Sequence, residues 1–213
     1  KKALVTAGPT YEAIDPVRFI GNNSSGKMGY AIAEQLAAMG AQVQLVSGPT
    51  HLTTQQRGIE VTRVTSAQEM YEACTHRFPE TDIAVLSAAV ADYKPRHVAD
   101  QKIKKKDEDL TLELTKTQDI AAALGKMKRE GQFVVGFALE TENEQSNAEK
   151  KLTGKNFDLI VLNSLNDPGA GFGHDTNKIT LINKKLERKE FNLKNKKEVA
   201  RDIVNAIIEQ THA

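Results

Sequence analysis

The stretch MGYAIAEQLAAMGAQVQLVSG, residues 28–48, contains a helix, a stop and a strand in that order. Its large apolar side chains recur at helical spacing, at Met28, Ile32, Leu36 and Met39. This spacing predicts an amphipathic helix over residues 27–39 that ends at Gly40. Residues 42–46 then predict a strand, and the apolar run ALVTA at residues 3–7 predicts another before the helix. A strand, a helix and a strand at this spacing favour a βαβ unit with parallel strands.

The same alternation continues along most of the chain. Further strands are predicted at residues 59–64, 83–88, 133–137 and 159–162, and helices at residues 66–77, 119–129 and 142–152. Near the C-terminus, residues 178–182 and 186–191 flank a polar turn and predict a hairpin, followed by an amphipathic helix at residues 198–209. We therefore predict one α/β domain over residues 1–213. It has a doubly wound, mostly parallel Rossmann-like sheet, helices on both faces and a C-terminal antiparallel hairpin.

Composition and charge favour a cytoplasmic protein. The 213 residues carry 29 Lys and Arg against 28 Asp and Glu, and a net charge of +1 gives no argument for binding nucleic acid or a membrane. No apolar run reaches the roughly 20 residues that a membrane helix needs. The opening KKALVTAG lacks the features of a signal peptide, and the single Cys74 cannot form an internal disulfide.

The segment GNNSSGK at residues 21–27 suggests a site for phosphate. It shares the G-x-x-x-x-G-K part of a P-loop, but Met28 follows where Ser or Thr would contact magnesium, so an authentic P-loop is poorly supported. Ser24, Ser25 and Gly26 remain candidates for binding phosphate at a helix N-terminus, where N–H groups and the helix dipole favour anions. Alternatively, Ser24 or Ser25 is only the N-cap of this helix.

Small and polar segments follow several of the predicted strands. They are Gly8 to Thr10, SAAVADYKP at residues 87–95, and residues 137–141. Ligands of open parallel sheets gather at the carboxyl ends of the strands, so these segments predict a site, with Gly8 a further phosphate candidate. The alternative is that the alanines only pack and that Asp92 caps a turn.

Lysines form a second group of candidates. The run KIKKK at residues 102–106 is either an anion site or a solvated loop. A lysine about 4 Å from a phosphate has a raw attraction of roughly 4 kcal/mol at an effective dielectric constant near 20. Lys151 and Lys155 share one helix face if the helix extends that far, although such faces are usually only exposed to solvent.

Two other classes of site find little support. The five histidines are scattered and Cys74 has no partner, so no zinc site is expected. No G-x-G-x-x-G follows the first strand and no acidic residue follows the second, which weakens an NAD(P)-linked oxidoreductase.

Several segments occur in the order seen in one enzyme family. They are TAGPTYEAIDPVRFIGNNSSGKMG (residues 6–29), SGPT (47–50), AAVADYKP (88–95), KIKKK (102–106), VGFALET (135–141) and DLIVLN (158–163). Over essentially its whole length the chain resembles the phosphopantothenate–cysteine ligases. The resemblance implies formation of an amide bond between 4′-phosphopantothenate and L-cysteine in coenzyme A biosynthesis. The bacterial branch proceeds through a CTP-derived acyl-cytidylate and releases pyrophosphate and CMP. An ATP-using ligase and a non-catalytic nucleotide-sensing module are the alternatives.

The resemblance also implies roles for individual residues. Asn22 and Lys102 match the catalytic positions, with Lys102 on a mobile lysine-rich flap around residues 94–109. Arg18, Asn22 and Ala89 match substrate-binding positions, and Arg18 is expected to reach across a dimer interface. The positions that match nucleotide-binding residues are Leu86, Ser87, Ala88, Asp92, Lys102, Asp119, Ile120, Ala121, Ala122, Phe137, Lys151 and Lys155.

Cofactors and partners follow from the same resemblance. CTP is the implied co-substrate, and Mg²⁺ or Mn²⁺ would be held mainly by its triphosphate rather than by protein ligands. The family is dimeric, which implies a homodimer here. In many bacteria the domain is fused to a phosphopantothenoylcysteine decarboxylase, so a fused or associated decarboxylase is expected.

Overall fold

A computed structural model describes residues 1–105, 109–140, 142–164 and 174–211. Lys106 of the lysine run and Thr141 of the VGFALET segment lie outside the described residues. The strands are β1 (Lys2–Ala7), β2 (Tyr11–Ala13), β3 (Phe19–Gly21), β4 (Gln42–Ser47), β5 (Ile59–Arg63), β6 (Ile83–Leu86), β7 (Tyr93–Pro95), β8 (Leu114–Lys116), β9 (Phe133–Glu140), β10 (Leu159–Ser164), β11 (Thr176–Asn177), β12 (Ile179–Asn183), β13 (Arg188–Glu190) and β14 (Lys194–Asn195). The helices are α1 (Lys27–Ala38), α2 (Ala67–Arg77), α3 (Ile120–Met127), α4 (Glu144–Gly154) and α5 (Lys196–Thr211), with a short 3₁₀ turn at Phe78–Glu80.

The described residues form one large sheet with the strand order β13-β12-β10-β9-β6-β1-β4-β5. The strands from β10 to β5 pair in parallel, and β12 and β13 add an antiparallel hairpin at one edge. From β1 the chain winds outward to β4 and β5, and from β6 it winds the other way to β9 and β10. The predicted doubly wound α/β fold is confirmed, and its topological switch point lies between β1 and β6.

Hydrophobic cores cover the large sheet on both faces. Ala3, Val5 and Ala7 of β1 face a core that contains α1 and α5. Leu4 faces the opposite core, which contains α2, α3 and α4. Burial on both faces explains why the central strands read as continuous apolar runs rather than as alternating patterns. Among the described helices, none has the length and apolar character needed to cross a bilayer.

Three small antiparallel ribbons, β2 with β3, β7 with β8 and β11 with β14, were absent from the sequence prediction. In the first, the rings of Tyr11 and Phe19 stack with their centroids 3.9 Å apart. The second ribbon joins Tyr93–Pro95 to Leu114–Lys116. The predicted lysine flap therefore begins inside β7, and the chain returns through β8.

Close backbone packing supports the loops at the carboxyl ends of β1 and β4. A Cβ atom added to Gly48 would lie 1.7 Å from the carbonyl oxygen of Pro9. A side chain at Gly48 would therefore force these two loops apart.

We expect Gly48→Ala to lower the free energy of unfolding by about 1–3 kcal/mol or more, because backbone atoms cannot rotate away from the added methyl group. Urea denaturation would measure the change. Gly154→Ala is the matched control, since a Cβ there meets nothing within 4 Å. Equal stability of the two variants would contradict the proposed clash.

Candidate active site

Two adjoining cavities lie at the carboxyl end of the sheet. The larger, about 430 Å³, is named here the lysine cavity because Lys116, Lys151 and Lys155 line it. The smaller, about 340 Å³, is named the asparagine cavity after Asn22, Asn163 and Asn177 in its wall. Residues common to both walls are Ala88, Val90, Asp92, Phe137 and Lys151. A ligand that spans both cavities would therefore pass along Ala88 and Phe137.

Most of the predicted nucleotide-binding residues line the lysine cavity. They are Leu86, Ala88, Asp92, Asp119, Ile120, Ala121, Phe137, Lys151 and Lys155. They come from the end of β6 and the loop after it, from β9, from the N-terminus of α3 and from the C-terminal end of α4, where Lys155 is the C-cap. Ser87 lines the other cavity, and Ala122 lies outside both walls but donates its N–H to the Asp119 carboxylate at 2.9 Å. The structure thus brings distant segments of the sequence together around one cavity.

The loop after β6 is fixed by two buried threonines. Thr6 accepts from Ala88 N–H at its hydroxyl, 3.1 Å away, and its carbonyl oxygen accepts from the Ser87 hydroxyl at 2.7 Å. Thr10 accepts from Ala91 N–H at 2.9 Å. Sequence reasoning missed Thr6, and it included Thr10 only as part of the segment Gly8 to Thr10, without its contact to the loop after β6. The two threonines hold Ser87 to Ala91 against the end of β1, where an extended strand was predicted as far as residue 88.

Asn22 lies in the asparagine cavity beside this loop. Its side-chain amide donates to the carbonyl oxygen of Ala89 at 2.9 Å. An asparagine amide carries two hydrogens and one carbonyl oxygen, so this bond leaves a second donor for a ligand. Ala89 also lines the asparagine cavity, and Asn22 and Ala89, two of the three predicted substrate-binding residues, therefore lie together.

The start of α1 forms another part of the asparagine cavity, through Ser24, Ser25 and Gly26. The alternative that a serine caps the helix is wrong. Gly26 is the N-cap, at φ +79°, and no side chain caps the helix there. Glycine adopts this left-handed conformation without steric cost. The first turn of α1 lines the cavity through Lys27, Met28 and Gly29. The Ser24 hydroxyl instead accepts from Gly26 N–H at 3.3 Å.

Gly8, Arg18 and Lys102 lie outside the walls of both cavities. Gly8 packs behind the start of α1, because a Cβ added to Gly26 would lie 3.3 Å from the Gly8 nitrogen. The Arg18 guanidinium pairs with Asp15 of the same chain. Lys102 is exposed on the lysine flap.

An ion pair joins α3 and α4 at the lysine cavity. Lys155 Nζ lies 2.9 Å from Asp119 Oδ2, and Asp119 is the N-cap of α3. Burial raises the pKa of Asp119, but the Ala122 N–H and the nearby Lys155 outweigh this effect and leave it below its ordinary value. Lys151 differs, because burial and the charge of Lys155 lower its pKa. The cavity thus holds a desolvated lysine whose ammonium form an anion would stabilise.

Sequence reasoning also missed residues of the asparagine cavity. Lys27, Lys196 and Asn177 contribute to its wall. Lys27 Nζ pairs with Asp175 at 2.5 Å, and Lys196 is buried at the start of α5 with a pKa lowered by its burial. Lys27 lies in the GNNSSGK segment, so the sequence could have identified it as a candidate. Lys196 is far from that segment in the chain, and no local pattern marks it.

Metal-binding side chains are sparse in the site. Among the described residues, no group of three or more His, Cys, Asp or Glu is placed to hold a metal ion. Asp92, in the walls of both cavities, can offer one carboxylate. Mg²⁺ commonly takes only one or two carboxylates together with substrate phosphates, so this donor set fits a metal that arrives with a polyphosphate.

Comparison with known proteins gives matches over nearly the whole chain. Residues 1–211 match the family described as the DNA/pantothenate metabolism flavoprotein C-terminal domain. A cysteine/cysteine sulfinic acid decarboxylase from an unknown prokaryotic organism is 54% identical over 212 residues, covering 100% of this chain and 59% of that protein. The coenzyme A biosynthesis bifunctional protein CoaBC of Bacillus subtilis is 47% identical over 207 residues, covering 97% of this chain and 51% of that protein.

A solved structure gives a match of similar extent. The crystal structure of the C-terminal domain of a CoaBC protein superposes with a TM-score of 0.84 at 43% identity, covering 100% of this chain and 96% of that one. The chain spans somewhat more than half the length of the curated relatives described above.

Proposed function

Because the chain belongs to the family of DNA/pantothenate metabolism flavoprotein C-terminal domains, we propose that it is a phosphopantothenate–cysteine ligase of coenzyme A biosynthesis. The proposed reaction joins 4′-phosphopantothenate to L-cysteine through an acyl-cytidylate formed from CTP. The carboxylate attacks the α-phosphorus of CTP and pyrophosphate leaves. The cysteine amine then attacks the acyl carbon, loses a proton, and displaces CMP.

The observation that carries this proposal is the shared wall of the two cavities. The lysine cavity has the charge and size for a nucleotide, with Lys151 and Lys155 beside it. The asparagine cavity joins it at Ala88 and Phe137 and contains Asn22. A carboxylate bound in one cavity would therefore approach a phosphate bound in the other, which is the juxtaposition that acyl transfer to a nucleotide requires.

The residues of the site have distinct proposed tasks. Lys151, Lys155 and, from the flap, Lys102 offset the negative charge of the triphosphate, which Mg²⁺ further neutralises when it is bound. Ala89 and Arg18, the latter reaching across the proposed dimer interface, contribute to binding phosphopantothenate, and the N-terminus of α1 offers N–H groups to its phosphate. Asn22 donates its second amide hydrogen to the oxyanion that develops when cysteine attacks.

Mass spectrometry of a reaction with CTP, Mg²⁺ and phosphopantothenate tests the proposal. Without cysteine, an acyl-cytidylate and pyrophosphate should form; with cysteine, the amide product and CMP should follow. A parallel reaction with ATP distinguishes the ATP-using version of the ligase. Binding of CTP without any acyl-cytidylate would instead favour a nucleotide-sensing module and reject the ligase.

Proton uptake by Lys151 provides a test of nucleotide binding. The lowered pKa of this lysine should rise when the triphosphate binds, because an opposite charge favours the ammonium form. At an alkaline pH below the ordinary lysine value of about 10.4, CTP binding is therefore expected to take up protons. Calorimetry in buffers of different ionisation enthalpy would measure this uptake.

Lys151→Arg is the matched control, since a guanidinium stays charged at every pH used and should abolish the uptake while retaining the charge. Binding without proton uptake in the unaltered protein would place the triphosphate away from Lys151.

We also propose that the chain works as a cytoplasmic homodimer, fused to or associated with a phosphopantothenoylcysteine decarboxylase. The relatives described as bifunctional support a second activity in the same protein. Light scattering after size exclusion tests the dimer, for which a mass twice that of one chain is expected. A monomer at all concentrations that is fully active would reject it.

A further inference from the structure

A buried carboxylate organises the turn between β2 and β3. The Asp15 side chain is fully buried, and Oδ1 accepts from Val17 N–H and Arg18 N–H at 2.9 Å each. Its other oxygen accepts from Arg18 Nε at 3.0 Å and also from Arg18 Nη2. The forked pair therefore fixes the Arg18 guanidinium against the turn.

The same pair holds the lysine flap at Ile103. The Ile103 N–H donates to Asp15 Oδ2 at 3.1 Å, and Arg18 Nη2 donates to the Ile103 carbonyl oxygen at 2.8 Å. Nearby, Ala99 N–H donates to the Ile14 carbonyl oxygen at 3.0 Å. Both backbone groups of Ile103 are thus bonded to one ion pair, and Lys102 is its immediate neighbour in the chain.

We propose that Asp15 and Arg18 form a clamp that fixes the backbone beside Lys102, which makes Asp15 a positioning residue for this lysine. The effect on catalysis rests on the proposed ligase function, whereas the anchoring of Ile103 does not. The clamp gives Arg18 a task within its own subunit, in addition to any contact with substrate.

The negative charge of Asp15 explains why a carboxylate is needed at position 15. The side chain has to accept several N–H bonds at once and pair with a guanidinium, which an amide cannot do with the same strength. The Arg18 guanidinium holds the pKa of Asp15 well below its ordinary value against the effect of burial, and the N–H groups of Val17, Ile103 and Arg18 lower it further. Because the pKa of Asp15 in the folded protein is below its ordinary value, the ionised carboxylate stabilises the fold at any pH above that ordinary value. This contribution is lost only in acid, so the clamp is intact at neutral pH.

Limited digestion by trypsin measures the anchoring of Ile103 directly. Trypsin cleaves the peptide bond between Lys102 and Ile103 only when this bond becomes accessible. Asp15→Asn should speed the appearance of the fragment that ends at Lys102 by about tenfold or more, since hydrogen bonds to a charged group are lost. Asp100→Asn is the control, because it also removes one carboxylate, from the exposed segment that contains Lys102, without touching the clamp. An unchanged rate in Asp15→Asn would reject the clamp.

Arg18→Gln keeps the inference testable if Asp15→Asn does not fold. It should expose the same bond, and Arg18→Lys, which keeps the charge without the fork, should fall between it and the unaltered protein. If Arg18 serves only substrate binding, both variants will raise KM for phosphopantothenate and leave digestion unchanged, which would also reject the clamp.

A kinetic measurement separates positioning from stability. In Asp15→Asn, kcat for activation should fall about tenfold or more with little change in KM for CTP, because Lys102 is misplaced rather than removed. A change in KM alone would reject the positioning role. If the unaltered protein performs no ligation, the proposed function fails, and digestion still decides whether the clamp exists.

Discussion

Lys102→Gln is expected to reduce the rate of acyl-cytidylate formation by about 100- to 1,000-fold, the usual cost of losing one group that stabilises transition-state charge. Attack on the α-phosphorus concentrates negative charge on the triphosphate, and glutamine replaces the lysine by a slightly shorter polar side chain that carries no charge. Pyrophosphate release measured under single-turnover conditions would report this step. The affinity for phosphopantothenate should change much less, because the lysine acts on the phosphates of the nucleotide.

Lys105→Gln is the control for Lys102→Gln, since it removes the same charge from another exposed position of the same lysine run. If general attraction of the flap for CTP is all that matters, the two variants will be equally impaired. Because Lys102 lies outside both cavities here, the predicted effect requires its side chain to reach the triphosphate in the substrate complex while the clamp holds the backbone at Ile103. An unchanged rate of acyl-cytidylate formation in Lys102→Gln would show that this lysine takes no part in the reaction.

The large sheet was predictable because its signals are local. Central parallel strands are buried on both faces and appear as short apolar runs, such as IAVL at residues 83–86, separated by amphipathic helices. The ribbons β2–β3 and β7–β8 carry no such signal. Their strands are three residues long and owe their conformation to distant partners, as when Tyr11 N–H donates to the Thr65 carbonyl oxygen at 2.8 Å.

The site was predictable in part for a similar reason. Its loops follow buried strands, so their clustering at the switch point follows from the topology. The alternative that Ser24 or Ser25 caps α1 is wrong, because Gly26 occupies the N-cap position in a left-handed conformation that the general preference for serine at helix starts does not reveal. The contributions of Thr6 and Lys196 arise only from three-dimensional contacts. Arg18 illustrates the same limit, since its pairing with Asp15 and Ile103 cannot be read from the DPVR segment alone.

Asn22→Asp is expected to separate the two chemical steps. The Asn22 amide already donates to the Ala89 carbonyl oxygen at 2.9 Å and can offer a second hydrogen to the oxyanion formed by cysteine attack. A carboxylate at this position would repel both that oxyanion and the Ala89 carbonyl. We therefore expect amide formation to slow by about 100- to 1,000-fold, while the acyl-cytidylate still forms and accumulates. Rapid-quench mass spectrometry with cysteine present would show the intermediate directly.

Asn23→Asp is the matched control for this prediction. It introduces the same charge one residue away, at an exposed side chain outside the walls of both cavities. If a negative charge merely weakens binding of the anionic substrates, Asn23→Asp will show part of the same loss and neither variant will accumulate intermediate. Amide formation at an undiminished rate in Asn22→Asp would mean that the oxyanion is stabilised elsewhere, because the second amide hydrogen of Asn22 would then be dispensable.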